Sequence, residues 1–172
     1  MNIYEIQTLR LLHIGTGIFW AGSVIYLAAF ITPAVNALGA DGGKFMQQLS
    51  RTNKLPLWMA ILSTLNILSG FRLIMIRSGN FQADWFMTYE GGCYTLGGVL
   101  AFGAYMIGMM VSKPAVDRMA KIGEAVAKAG GSPTPEQSQE IAALRAKLAK
   151  GVRLVAWHLA ATVVLMAIAR PM

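Results

Sequence analysis

Charged residues are absent from four long stretches of the chain, and each of these stretches is mainly apolar. The stretches lie between Arg10 and Asp41, Lys54 and Arg72, Glu90 and Lys113, and Arg153 and Arg170. A helix needs about 20 apolar residues to cross a hydrocarbon core about 30 Å thick. Runs this long, without the alternation of barrel strands, predict helices near residues 8–32, 55–77, 92–113 and 151–170. We therefore expect an all-α polytopic membrane protein, a single four-helix bundle over residues 1–172.

Prolines mark where two of these helices are expected to end and begin. Pro33 is expected to end the first helix and Pro56 to open the second, because proline lacks the amide hydrogen that a helix interior needs but fits its first turn. Between them, residues 38–51 contain a Gly-rich turn followed by a short amphipathic segment. We expect this segment to lie at the membrane interface.

The longest polar segment, residues 113–150, has a helical pattern on both sides of a break. Apolar residues recur at near-heptad spacing in both halves, namely Val116, Met119, Ile122 and Val126, then Ile141, Leu144 and Leu148. Gly130 and Gly131 form a helix stop, and Thr134, Pro135 and Gln137 form a capping box with a proline at its first helical position. These signals predict a cytoplasmic helical hairpin over residues 114–150 that extends the third and fourth spans by roughly 22 Å. Such a hairpin is either a docking surface for a partner or a stalk whose Lys and Arg touch anionic lipid.

Composition and charge support the membrane interpretation. The chain is 55% hydrophobic and only 13% charged, whereas about a quarter of the residues of soluble domains are charged. Of its 15 Lys and Arg, eleven lie in the connections between spans one and two and between spans three and four; the other four are Arg10, Arg72, Arg77 and Arg170. The positive-inside rule places the two basic connections in the cytoplasm and both termini outside. Topology therefore accounts for the net charge of +7, and we expect no nucleic-acid partner.

Several kinds of chemistry find no support in the sequence. The single cysteine, Cys93, excludes an internal disulfide and a thiolate metal cluster. Nucleophilic triads, phosphate-cradling glycine loops and paired intramembrane carboxylates are absent from the sequence, which argues against a hydrolase, a kinase and a proton pump.

The only two histidines, His13 and His158, both fall inside predicted spans. Ionisable groups in membrane helices are costly, and they normally face the bundle interior, where they pair, bind a ligand or relay protons. Small residues accompany His13 in the segment LHIGTGIFWAGS, residues 12–23. They make room either for a neighbouring helix, through a face such as Gly17 with Ala21, or for a porphyrin beside its axial ligand.

Two intramembrane imidazoles suit bis-histidine ligation of haem iron, which favours electron transfer. Counted from Arg10 and Arg170, the histidines differ in height by about 13 Å. If the first helix instead starts at Glu5, the offset falls to roughly 6 Å, which a tilted haem accepts. With an offset of roughly 6 Å, both histidines can ligate one haem iron. With an offset of about 13 Å, only one of them can. Without a cofactor, the imidazole is expected to hydrogen-bond a backbone carbonyl or Thr16.

Arg72 is the charge that lies deepest in a predicted span. It is expected either to extend toward the outer surface or to pair with a haem propionate at the level of His13. Asn66 and Ser63, on the same helix, are expected to bridge neighbouring helices.

Methionine offers a further ligand type. The chain has 11 methionines, including Met106, Met109 and Met110 on the third span and Met166 on the fourth. Thioethers suit Cu(I), so copper is an alternative cofactor.

His13, Trp20 and Gly22 form the pattern H-x6-W-x-G. It resembles the first-helix motif shared by copper-resistance protein D-like membrane proteins and by the HemJ family of protoporphyrinogen oxidases. Over nearly its whole length, in segments such as ITPAV, LSTLNILSG and VVLMAIARP, the chain looks like an uncharacterised bacterial four-helix family in that neighbourhood. In the HemJ family the first-helix histidine is associated with haem b, so the resemblance implies haem b at His13. The copper-protein likeness implies metal handling at the outer face.

We therefore expect a multi-pass protein of the bacterial inner membrane, with both termini periplasmic, that binds haem b for electron transfer or haem handling. His13 is the expected ligand, His158 a candidate second ligand, and Gly17, Trp20 and Arg72 are further candidate cofactor contacts. One alternative is a non-enzymatic scaffold or accessory subunit that docks a partner through the hairpin, and another is copper handling. Small-residue faces on the first and third spans also allow a homodimer or a larger membrane complex. No enzymatic reaction follows from these residues.

Overall fold

Four long helices and two short ones make up the fold in the computed structural model, which describes residues 3–169. In chain order they are α1 (Ile3–Ala37), α2 (Ala40–Gln47), α3 (Leu55–Arg77), α4 (Ala83–Phe86), α5 (Tyr89–Lys128) and α6 (Pro135–Ile168). The helices α1, α3, α5 and α6 are long and apolar enough to cross a membrane. The prediction of an all-helical chain with four membrane-length helices is therefore confirmed. Arg170, the predicted end of the fourth span and one of the outer reference points, lies outside the described residues.

The four long helices form a ring in which α1 and α5 each lie between α3 and α6. Their common core contains Trp20 and Val24 from α1, Ala104 from α5, and Val155 and Leu159 from α6. Large apolar side chains on the outer faces of the same helices are exposed. This distribution is compatible with a membrane bundle, in which lipid would cover the apolar exterior.

The first helix does not end at Pro33, and that prediction is wrong. The backbone widens into a π-helical turn at Leu27–Ile31, closed by the Thr32 amide, which donates to the Leu27 carbonyl, and the helix then continues to Ala37. A proline inside an α-helix leaves one carbonyl without its donor and collides with the carbonyl four residues earlier. The wider turn accommodates the ring without breaking the helix. The same solution, at Gly108–Ser112, precedes Pro114 in α5.

The segment predicted as a hairpin is a direct continuation of α5 and α6. The helix α5 ends at Lys128, and Gly130 then adopts a positive φ of 64°. The predicted capping box is present at the start of α6, since the Thr134 hydroxyl accepts from the Gln137 amide and the Gln137 side chain accepts from the Thr134 amide. Arg118 joins the two arms through a hydrogen bond of 2.6 Å to Glu140. The membrane side on which this hairpin lies remains a prediction.

Candidate functional site

His13 lies on the face of α1 that packs against α3. Its Nδ1 is 3.0 Å from the backbone carbonyl of Asn66 and 3.4 Å from the Ser69 hydroxyl. A carbonyl oxygen can only accept a hydrogen bond, so Nδ1 carries the proton and the lone pair of the neutral ring is on Nε2. The predicted hydrogen bond to a backbone carbonyl is present, and the carbonyl belongs to the neighbouring helix.

The imidazole of His13 rests directly on the backbone of α3. A Cβ on Gly70 would lie 2.7 Å from Cε1 of His13, closer than real Cβ atoms come to other atoms. Glycine at residue 70 therefore makes room for the ring. The sequence contained no signal that paired this glycine with His13, because the pairing depends on the relative height of the two helices.

Asn66 also links α3 to α1, and here the side chain belongs to α3 and the backbone carbonyl to α1. Its side-chain amide donates to the His13 carbonyl at 2.7 Å and to the Thr16 hydroxyl at 3.2 Å. A Cβ on Gly17 would lie 3.0 Å from the Asn66 amide nitrogen, so Gly17 admits that amide. The predicted role of Asn66 as a bridge between helices is confirmed. Gly17, predicted to lie beside a cofactor, contacts Asn66.

His158 occupies a separate position, at the contact between α6 and α5. Its Nδ1 is 2.9 Å from the Leu154 carbonyl, so this ring also has its lone pair on Nε2. A Cβ on Gly103 would lie 3.6 Å from the ring, an ordinary van der Waals contact. One turn further along α6, the Thr162 hydroxyl lies 3.2 Å from the Gly97 carbonyl and holds α6 against α5.

The heights of the two histidines can be compared through contacts between adjacent helices. These contacts are Gly70 with His13, Gly98 with Ile74, Thr64 with Tyr105, and Gly103 with His158. Followed from helix to helix, they place the two imidazole rings within about four residues of each other in height, or roughly 6 Å. This agrees with the smaller of the two predicted offsets, and α1 begins at Ile3, beyond Glu5.

Trp20 and Arg72 contact groups other than the two imidazoles. Trp20 is 5% exposed and belongs to the common core, where it packs between helices. The Nε of Arg72 lies 2.9 Å from a carboxylate oxygen of Glu5, an ion pair between α3 and α1 on the N-terminal side of His13 along α1. Glu5 was not singled out from the sequence. The sequence contained no signal that paired Glu5 with Arg72, because the pairing depends on how α1 and α3 pack against each other.

The residues that the structure describes contain no group of three or more His, Cys, Asp or Glu suited to a metal ion. Haem requires fewer protein ligands than a bare metal ion does, because the porphyrin supplies four of the six iron ligands and the protein supplies one or two. Two cavities in the described part of the chain lie elsewhere and contain no histidine in their walls. Each imidazole thus keeps a lone pair on Nε2, and the helices around His13 are closely packed.

Comparison with known proteins adds no further constraint. No family model, curated protein or solved structure matches this chain.

Proposed function

We propose that this protein binds b-type haem in the bacterial inner membrane through His13 and serves electron transfer or haem handling. The observation that carries the proposal is the hydrogen bond from His13 Nδ1 to the Asn66 carbonyl. Histidines that bind metals commonly donate their second ring nitrogen to a carbonyl or carboxylate, which fixes the tautomer and makes the ligating nitrogen more basic. His13 has this arrangement.

His158 is the candidate for the second axial ligand. Its Nδ1 is held by the Leu154 carbonyl, so Nε2 carries the lone pair that iron requires. Because the two rings pack on different neighbouring helices, a shared iron requires the pair α1 and α3 to separate from the pair α5 and α6. Bound haem with two imidazoles would supply one-electron transfer, since both axial positions are then filled.

Arg72 is the candidate partner of a haem propionate. Its guanidinium already forms an ion pair with Glu5, and 43% of the Arg72 side chain is exposed. A propionate would therefore replace Glu5 as the anion, at the same outer level of the bundle.

The visible spectrum of the detergent-solubilised protein, oxidised and reduced, tests the proposal. A Soret band is expected, and His13→Gln should abolish it, because a glutamine amide does not replace imidazole as an iron ligand. Glutamine is chosen because its amide can still donate to the Asn66 carbonyl. Ser69→Ala, beside the same ring, is the matched control and should keep the band. His158→Gln should convert a low-spin spectrum to a high-spin one if His158 is the second ligand. A colourless protein would refute haem binding, and copper recovered at one atom per chain would favour the copper alternative.

A second candidate function is that of a non-enzymatic scaffold or accessory subunit, with the hairpin as its docking surface. It is supported by the rigid connection of the hairpin to the membrane helices and by the Arg118–Glu140 ion pair between its arms. The apolar residues of the hairpin are turned inward, so a partner would meet a polar, mainly basic surface. Co-purification that is lost on replacing residues 114–150 with a short linker would support this function.

The proposed topology has both termini outside and the hairpin in the cytoplasm. Single cysteines at Gly131 and Gly79, introduced into a Cys93→Ser background, test it with a thiol reagent that does not cross membranes. In intact cells stripped of their outer membrane, the cysteine at residue 79 should react and the one at residue 131 should not.

A further inference from the structure

A cavity of about 320 Å³ opens where α3 begins, beside the middle of α5. Three basic side chains line it, those of Arg51, Lys54 and Lys113, together with one carboxylate, that of Asp117. Apolar residues such as Leu57 and Val116 form the rest of its lining. We call the basic part of the lining the rim and the apolar part the floor.

The charges around the rim do not cancel. Lys113 pairs with Asp117 at 2.7 Å, and Arg51 pairs more loosely with Glu124 at 3.6 Å while donating to the Ala120 carbonyl at 2.8 Å. For Lys54, no ion pair occurs with any of the residues from 3 to 169. An unmatched positive charge thus remains at the mouth of the cavity.

The backbone adds to the positive potential at this point. Lys54 adopts a left-handed conformation with φ of 52° and precedes the first turn of α3, which has no side-chain cap. The amides of an uncapped first turn carry the positive end of the helix dipole. This helix start belongs to the lining of the cavity, since Lys54, Pro56 and Leu57 all line it.

The height of the cavity indicates the kind of anion that it suits. Lys54 and Lys113 lie at the ends of the uncharged stretches of α3 and α5, which is the level where hydrocarbon gives way to lipid headgroups. Basic pockets between membrane helices at the cytoplasmic surface suit lipid headgroups. A free phosphate would use the rim and leave the apolar floor without a partner.

We propose that this cavity is a binding site for the phosphate group of an anionic phospholipid in the cytoplasmic leaflet. Arg51, Lys54 and Lys113 contact the phosphate, and the first segment of an acyl chain lies on Leu57, Ala60 and Val116. The site is independent of the histidines and of any cofactor. It would also hold the hairpin at a fixed height, because Arg51 links the lipid to α5.

The test measures thermal unfolding of the purified full-length chain in nanodiscs of phosphatidylcholine, with and without 20 mol% phosphatidylglycerol, and counts the lipids that it retains in native mass spectrometry. The charge variant is Lys54→Asn with Lys113→Gln, since asparagine tolerates the left-handed backbone. The matched control, Lys128→Asn with Lys147→Gln, removes equal charge from the hairpin surface away from the cavity. A second variant, Ala60→Phe, fills the floor and keeps every charge.

Phosphatidylglycerol should raise the unfolding temperature of the wild-type and control proteins and leave a retained lipid on each. In the charge variant most of the rise in unfolding temperature and the retained lipid should both be lost, because each basic residue near the surface contributes about fivefold to the affinity. The Ala60→Phe variant should lose the retained lipid as well. An equal loss in the control would show diffuse attraction to the membrane surface and overturn the proposal. Equal stabilisation by inorganic phosphate in pure phosphatidylcholine would show a free-anion site and would also overturn it.

Discussion

Asn66 and His13 are joined by two hydrogen bonds of opposite direction. The Asn66 side chain donates to the His13 carbonyl at 2.7 Å, and the Asn66 carbonyl accepts from His13 Nδ1 at 3.0 Å. The same asparagine also donates to Thr16. This double link fixes the register of α1 against α3 at the level of the proposed haem ligand. It also separates two roles, since the side chain holds the helices and the backbone carbonyl fixes the tautomer.

Asn66→Ala removes the first role and keeps the second. Loss of the two side-chain hydrogen bonds should reduce the free energy of unfolding by about 1–2 kcal/mol, since interhelical hydrogen bonds in membranes contribute about 0.6 kcal/mol on average and up to about 1.7. The unfolding equilibrium in mixed micelles of increasing SDS content measures the change. Any Soret band should persist, because the carbonyl remains.

Asn36→Ala is the control for this substitution, because Asn36 is exposed near the end of α1. Its effect should lie within a few tenths of a kcal/mol of zero. Equal stability of the Asn66→Ala and wild-type proteins would contradict the bridging role.

A series of glycine substitutions tests how closely the histidines are packed. Gly70→Ala should be the most damaging, because its Cβ would lie 2.7 Å from the His13 ring, and overpacking of this kind costs about 1–3 kcal/mol. Gly103→Ala should have little effect, because its Cβ would lie at 3.6 Å from His158. Gly15→Ala, which has no atom within 4 Å of the added carbon, should be neutral or stabilising, since alanine favours helix by up to about 1 kcal/mol.

Unfolding in mixed micelles ranks the three variants. If Gly70→Ala were as stable as Gly15→Ala, the imidazole of His13 would not rest on α3. A haem spectrum that shifts only in Gly70→Ala would further connect this packing to the proposed ligand.

The sequence predicted the long helices well because lipid imposes a length and a composition that can be counted residue by residue. The second span was predicted at residues 55–77 and is observed at Leu55–Arg77. Pro33 misled the prediction, because a proline that normally ends a helix was accommodated by one wider turn. That outcome depends on packing around the turn and not on residue type alone.

The candidate site was predictable only in part. Residue type and position singled out His13 and Asn66, since polar groups in a membrane need partners. The partners themselves, Ser69 and Gly70, depend on how α1 and α3 are registered, and this register follows from three-dimensional packing. Whether His158 shares a ligand with His13 depends on the same kind of information for all four helices.

The hairpin should loosen in acid because of Glu140. Its hydrogen bonds with Arg118 hold the pKa of the Glu140 carboxyl below its usual value. The stabilisation is therefore fully present above the ordinary pKa of glutamate, about 4.3, and is lost as the pH falls through the lower pKa of the folded state. Amide hydrogen exchange over residues 114–150, corrected for the intrinsic effect of pH, should show less protection at pH 3 than at pH 6.

Glu140→Gln should remove most of this pH dependence of protection, since the ion pair with Arg118 is then absent at pH 3 and at pH 6 alike. Asp84→Asn, in the connection at the opposite end of the bundle, is the control and should leave it intact. Glu136 contributes in the same direction, because hydrogen bonds from its own backbone amide and from Thr134 lower the pKa of its carboxyl. Protection that does not change between the two pH values would show that the ion pair does not hold the arms together.

The Arg72–Glu5 ion pair should couple α1 to α3 more strongly than an ordinary surface pair does. The two side chains are 43% and 37% exposed, whereas those of Lys44 and Asp41 are 79% and 76% exposed. A double-mutant cycle of Arg72→Gln and Glu5→Gln should give a coupling energy of about 1 kcal/mol, and the cycle of Lys44→Gln and Asp41→Asn only a few tenths. Unfolding in mixed micelles at low salt provides the seven free energies of unfolding, since the two cycles share the wild-type protein.

Added salt makes the comparison sharper. At 1 M NaCl the Debye length falls to about 3 Å, so the weak coupling of the exposed pair should vanish while part of the Arg72–Glu5 coupling remains. If haem binds as proposed, the Arg72–Glu5 coupling should also decrease in the loaded protein, because a propionate then competes with Glu5 for the guanidinium. A coupling energy that is the same with and without haem would separate Arg72 from the cofactor and leave it as a purely structural link between the two helices.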